Sequence, residues 1–470
     1  MSEAQTPVAP AIRKAPTGLA VFAMVGPAFV WCAEYIGSGE VILATRAGAI
    51  LGTGVIWAIA FGIFLKYWIG VSSARYTVCT GECMIDMFAR IPGPRNWVVW
   101  IVLVAQFASA TISIGSLATA AGVFLGSLTP IPPALGAWII SLFCLGIVWS
   151  GAFDVLKIVM SAFVLVIVIG VIYTAAIVFP GFETFVRGLS FSVPGVPEWA
   201  SSNYGVSENP WREILPLLGW AAGGFASQVW YTYWVLGAGY GMAQGRAYGV
   251  AADVATLSTM TRDVAERVKG WCRVVYVDAT VAMVIGVTVT ASFLIAGAGV
   301  LGARQVAPEG TTLAITLSEV FSSRWGAFGG FLFMLSGTAA LVSTQIGLLA
   351  GWPRLLADAF RICIPSFARF SWKQQFRFFL LFFLVTNMII SNELGLRPVA
   401  LVQMSAVLDG LLLTPFQAIW VLVGLYVVMP KLLSPEAARV LKPHWIFAVG
   451  LALAFVVFGY FCVVQIPLAL

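Results

Sequence analysis

Residues 26–48 read GPAFVWCAEYIGSGEVILATRAG. The stretch belongs to an apolar run over 18–45 that is long enough to cross a bilayer, yet it carries Gly37-Ser38-Gly39-Glu40 within it. A helix in hydrocarbon must satisfy its own backbone, so a glycine cluster beside a carboxylate inside a span predicts unwound chain facing a cavity. A second cluster, Gly223-Gly224, falls within a later run over 213–240. Either cluster alone reads as a helix-packing device. Together, five spans apart, they predict two inverted five-helix repeats with discontinuous helices one and six, whose freed carbonyls and helix ends form a cation site at the midplane.

The rest of the chain fits that frame. Of 470 residues 60% are hydrophobic and 10% charged, with a mean hydropathy of +0.95, which excludes an ordinary soluble domain. Glycine and proline show no period and the seven cysteines are scattered, excluding a collagen-like chain and a disulfide scaffold. Apolar runs predict eleven spans, near 18–45, 48–72, 97–126, 131–150, 156–180, 213–240, 271–300, 326–351, 374–391, 398–429 and 445–466. The fold class is therefore an all-α polytopic membrane protein of the LeuT type. A tail over 1–17, without a signal-peptide core, precedes a first repeat over 18–180 and an outer loop over 181–212. A second repeat follows over 213–429, then a linker and eleventh helix over 430–470.

Charge gives the orientation. With the N-terminus cytoplasmic, twenty of the 26 Lys and Arg, Lys66 among them, fall on the inner side. Arg46, Arg187, Arg212, Arg304, Arg324 and Arg397 fall outside. The net charge of +6 is then a topology signal of an inner or plasma membrane protein and calls for no nucleic acid. Carboxylates within spans are functional candidates by default. Glu40 adjoins the first break, Glu34 lies six residues before it, Asp409 sits mid-span in helix ten and Asp278 two turns into helix seven. For each, a satisfied hydrogen bond inside the bundle is the plain alternative, the stronger one for Asp278.

The 26–48 stretch resembles the first helix of the Nramp family of divalent metal transporters, which runs GPGF, then YIDPGN, then a short run ending in AG. SARYTVCTGECMID at 73–86 is similar to the family's SARLGIVTG and the acidic stretch after it. LLGWAAGG at 217–224 stands where the family has LLGA and a Met-Pro-His motif, and STQIGLLAG at 343–351 resembles SSTVTGTLAG. The resemblance implies a metal-ion symporter with the fold already inferred, the metal being cargo rather than cofactor. It also marks departures. The family's metal-binding Asp falls on Gly37, its Asn on Glu40, its methionine on Gly223 and its histidine on Phe225. The helix-three acidic pair associated with proton movement falls on Ile112 and Gly115. One carboxylate is lost and one gained, and without a thioether the site turns toward hard ions.

The expected ion site therefore comprises Gly37, Ser38, Glu40, Gly223, Gly224, Gln403 and Asp409, with Glu40 and Asp409 as metal ligands and carbonyls near Gly37 and Gly223 as neutral oxygens. Glu34 is the candidate for a proton path, and Trp220, Phe225 and Gln228 would line the cavity. The glycines at 37 and 223 are expected to leave room for an ion that keeps part of its water shell. The aromatic run Trp230-Tyr231-Thr232-Tyr233-Trp234 reads as packing, with an organic-cation face as the alternative. Cys79 and Cys83 beside Glu82 are a weak metal signal, and His444 reads as interfacial. No P-loop motif occurs, and a single His at a membrane edge builds no catalytic triad, so an enzyme is not expected. The chain reads as a monomeric secondary transporter in the lipid bilayer. Its cargo is a divalent metal of the Mn/Fe/Mg class, with an organic cation or amino-acid-like solute, or a non-transporting sensor or channel, as alternatives.

Overall fold

A computed structural model describes residues 12–309, 313–393 and 398–469, all helix or connecting chain with no strand among them. Arg397 and most of the tail over 1–17 lie outside the described residues, as does the side chain of Arg324. Each of the eleven expected segments coincides with helix. The first is α1a (Pro27–Tyr35) and α1b (Gly39–Ala44 continuing as Thr45–Leu51). Next come α2 (Ile56–Thr80), α3 (Trp97–Leu128), α4 (Pro133–Val148) and α5 (Phe153–Ile177). The sixth is α6a (Trp211–Trp220) and α6b (Phe225–Ala238), followed by α7 (Arg262–Ala296), α8 (Leu313–Cys363) and α9 (Trp372–Glu393). The last two are α10 (Pro398–Gly410, resumed over Thr414–Val423) and α11 (Trp445–Tyr460). Among the described residues six helices are individually long and apolar enough to cross a membrane, and one bent pair would make a seventh. Among the others, α4 and each half of α6 are too short to count alone.

The boundaries move where local chemistry dictates. Gly18–Met24 is a separate exposed 3-10 segment bent 48° from α1a, because Pro27 at the first helical turn starts a new helix. α7 begins nine residues before the expected 271, since the Thr261 hydroxyl accepts from Val264 N and caps an amphipathic extension. α8 kinks at Gly326, whose φ of 62° no β-carbon residue adopts cheaply. His444 accepts from Ile446 N through Nδ1 and caps α11. The 181–212 loop carries the short helices Phe182–Arg187 and Glu198–Tyr204 and is tied down by Trp57 Nε1 donating to Ser192 O at 2.7 Å.

The packing repeats across the two halves. α1a lies on α5 as α6a lies on α10, while the equivalent helices α2 and α7, and α3 and α8, pack against each other. α1a also meets α6b, and α6a meets α1b. These reciprocal contacts are what two inverted repeats produce, and they bring both broken helices to the centre of the bundle.

Candidate functional site

Both breaks exist, and their backbone is satisfied in different ways. After Tyr35 the chain leaves the helix at Ile36 (φ −74°, ψ 87°). Gly37 N donates to Glu40 Oε2 at 3.0 Å, and the freed carbonyls of Ala33 and Ile36 accept from Ser343 Oγ (3.0 Å) and Thr344 Oγ1 (3.2 Å) of α8. In the sixth span Ala222 and Gly223 are left-handed (φ 58° and 72°) and α6b restarts behind Gly224. The breaks face each other. A methyl group on Gly39 would stand 3.1 Å from Trp220 Cβ, and one on Gly223 would stand 3.2 Å from Tyr35 Cβ.

Between them lies a cavity of about 30 Å³, lined among others by Glu34, Ser38, Trp220, Gly223, Gly224 and Asp409. Glu34 Oε2 accepts from Ser227 Oγ at 2.7 Å, and that hydroxyl also accepts from Trp31 Nε1 at 2.9 Å. Asp409 Oδ1 accepts from Gln106 Nε2 at 3.0 Å and from Ala226 N, in the first turn of α6b, at 3.4 Å. The Gln106 amide is in turn fixed by Trp352 Nε1 at 2.9 Å. Each carboxylate is thereby oriented through one oxygen. Among the described residues Glu34 Oε1 and Asp409 Oδ2 receive no donor of their own. Two buried acids thus line the same cavity, beside a serine hydroxyl and the N-terminus of α6b. The volume has room for about two waters.

Several expected members lie elsewhere. Glu40 is fully buried but does not line the cavity, because Gly37 N and the α7 hydroxyl of Thr290 (3.3 Å to Oε1) hold its carboxylate across the break. Gln403 donates to Glu213 Oε2 at 3.2 Å and belongs to an ion-pair cluster at the other end of α6a. Phe225 packs on Phe88, and Gln228 Nε2 donates to Ala222 O at 3.2 Å. The room expected at the glycines is taken. Thr344 presses on Gly37 and Ser227 on Gly223, so a methyl group on either would overlap a hydroxyl oxygen. Gly115 is likewise filled against Ile390. Cys79 Sγ lies 3.7 Å from Cys272 Sγ rather than near Cys83, and no cluster of three or more His, Cys, Asp or Glu occurs among the described residues.

Above and below the cavity the bundle is latched. Arg46 of α1b pairs with Glu213 of α6a at 3.0 Å and with Glu309 at 2.9 Å. At the opposite end Asp278 accepts from Gly26 N (3.1 Å), at the start of α1a, and from Tyr231 OH (2.7 Å) of α6b. There Trp31 stacks on Tyr231 at 4.2 Å. Both ends of the bundle are thus tied across the broken helices.

Sequence reading missed one central residue. Lys66 counts as an inner-loop charge by its position, but it sits mid-helix in α2, 1% exposed. Its Nζ donates to the carbonyls of Gly219 (2.5 Å), Ala221 (3.0 Å) and Gly223 (2.6 Å), at the end of α6a and across the break. The signal was available, since a lysine within the run Ile63-Phe64-Leu65-Lys66-Tyr67-Trp68-Ile69 is an ionisable group inside a span.

Residues 28–203 match the family model of natural resistance-associated macrophage protein-like (Nramp) chains. Over 79 residues the chain is 29% identical to the divalent metal cation transporter MntH of Yersinia enterocolitica, which is 17% of this chain and 19% of that protein. Over 103 residues it is 28% identical to MntH of Clostridium acetobutylicum, 22% of each. The alignments thus span about a fifth of these relatives' length. Among solved structures, a manganese transporter of Eremococcus coleocola bound to an aromatic bis-isothiourea substituted compound superposes with a TM-score of 0.66 at 15% identity, over 96% of this chain and 88% of that one. MhsT in complex with L-phenylalanine superposes with a TM-score of 0.55 at 13% identity, over 94% and 99%. The chain thus resembles the Nramp family across its first repeat and shares the fold of that manganese transporter along its length.

Proposed function

We propose that the protein is a secondary transporter of a divalent metal cation of the Mn/Fe/Mg class, working by alternating access. The observation that carries the reading is the cavity at the facing breaks, with Glu34 and Asp409 each leaving one carboxylate oxygen without a donor among the described residues. Two carboxylates neutralise a divalent ion in a low-dielectric site where an unpaired ion would be prohibitive. Ser38 adds a neutral oxygen, and among the described residues no thioether lines the cavity, so selectivity leans to hard ions while the Irving–Williams trend persists. Glu40 contributes charge from behind the first break, and Gln403 belongs to the outer latch. Release to either side requires one latch to open, Arg46 with Glu213 and Glu309 or Asp278 with Tyr231 and Gly26. The names of the MntH relatives support the cargo class.

In this reading the protein is a monomer in the plasma membrane bilayer with its N-terminus cytoplasmic, its repeats over 18–180 and 213–429, and its role is transport rather than catalysis. A second reading, an organic cation, is favoured by Trp220, Trp230 and Trp352 around the same cavity, since aromatic faces attract cations. Uptake into proteoliposomes with manganese, magnesium, calcium and a simple amine decides between them. Accumulation of manganese and magnesium is expected. Accumulation of the amine alone would support the second reading, and none at all would defeat transport.

A further inference from the structure

A broken helix offers a cation the carbonyls at the end of its first half and across the unwound turn, where the helix dipole adds negative potential. In α6 those oxygens belong to Gly219, Ala221 and Gly223, and all three converge on Lys66 Nζ at 2.5–3.0 Å. An ammonium has three protons and no acceptor, so the set is complete. Around it stand the Phe458 ring, 5.9 Å from Nζ to its centroid, and the charges of Asp409 and Glu40. A methionine or leucine would fill the volume without the desolvation that a buried ammonium costs, but would leave the three carbonyls without this donor.

We infer that Lys66 is a tethered cation that permanently occupies the carbonyl site of the α6 break and so determines which ions the protein can use. A free monovalent ion has no vacant carbonyl cup there, and the cargo is confined to the Glu34 and Asp409 side of the cavity. Selectivity then falls to the two carboxylates and the Ser38 hydroxyl, and no sodium-type co-ion is held at α6. The effect on cargo rests on the transport reading, but occupancy of the cup is measurable without transport.

The test uses the purified full chain in detergent, with thermal unfolding midpoints taken in chloride salts of sodium, potassium, ammonium, methylammonium and choline at equal ionic strength. For the wild type the five salts are expected to give the same midpoint. Lys66→Ala empties the cup, and its midpoint should fall and be largely restored by ammonium, methylammonium or sodium relative to choline. Lys66→Met removes the charge but fills the space and should show no such recovery. A sodium- or potassium-specific rise in the wild type would overturn the inference. So would a recovery in Lys66→Met as large as in Lys66→Ala, or a Lys66→Ala protein indifferent to every salt. If Lys66→Ala does not fold, the wild-type series decides by itself. Failure of divalent uptake with these salt responses intact would strike the proposed function and leave the tethered cation standing.

Discussion

Replacing Asp409 by asparagine should abolish most divalent binding while leaving the bundle folded. The side chain keeps its shape, and an asparagine Oδ1 can still accept from Gln106 Nε2 and Ala226 N as the carboxylate does at 3.0 and 3.4 Å. What is lost is one of the two charges on the cavity wall, and the atom replacing Oδ2 becomes an amide donor aimed at the cation. Unit charges at about 4 Å interact by about 4 kcal/mol at an effective dielectric of about 20, and a divalent ion doubles that. Desolvation of ion and carboxylate offsets much of this gain, which leaves a net loss of roughly 2–4 kcal/mol, or roughly 30- to 700-fold in Kd. Calorimetric titration of manganese and magnesium into purified protein reads that change, with the thermal midpoint as the control for folding. The midpoint should fall modestly, because Lys66 loses one of its compensating charges. An Asp409→Asn protein that binds both ions with wild-type affinity would show that Asp409 is only a bracket for the start of α6b.

Glu40→Gln should act differently: the glutamine still spans from Gly37 N to Thr290, so folding survives with a loss of about 1–2 kcal/mol from weakened charge-assisted bonds. Divalent affinity should fall less than in Asp409→Asn, and equal or greater loss by calorimetry would make Glu40 the principal ligand after all. Gly224→Ala places a methyl group onto Asp409 Oδ2, and overpacking of about 1–3 kcal/mol should lower the thermal midpoint and uptake together; a wild-type midpoint would mean that Asp409 is free to move. Ile112 and Gly115 bear no carboxylate on α3, so uptake into vesicles carrying a pH dye should proceed with little acidification. Robust, stoichiometric proton flux would point to Glu34.

The sequence by itself determined the helical spans and the positions of both breaks. Length and apolarity fix the first, and the second follows because Gly37 and Gly223 interrupt runs that lipid would otherwise force into continuous helix. It also put Glu34, Ser38, Trp220, Gly223, Gly224 and Asp409 on the candidate roster, and these six do line one cavity. Only the tertiary structure decided which carboxylates face that cavity. Helical periodicity predicts direction only while the helix continues. Once the chain turns through Ile36 and Gly37, every later side chain is re-aimed by an angle that depends on what packs against the turn, here Thr344 and Thr290. Glu40 is thereby directed behind the break, while Glu34, before the turn, faces the cavity because α6b packs against α1a and Ser227 holds its carboxylate. Lys66 shows the same limit more plainly. A lysine in an apolar run is visible in sequence as an anomaly, but its three acceptors lie 153 to 157 residues away, and only the docking of α2 against the α6 break could bring them to its ammonium.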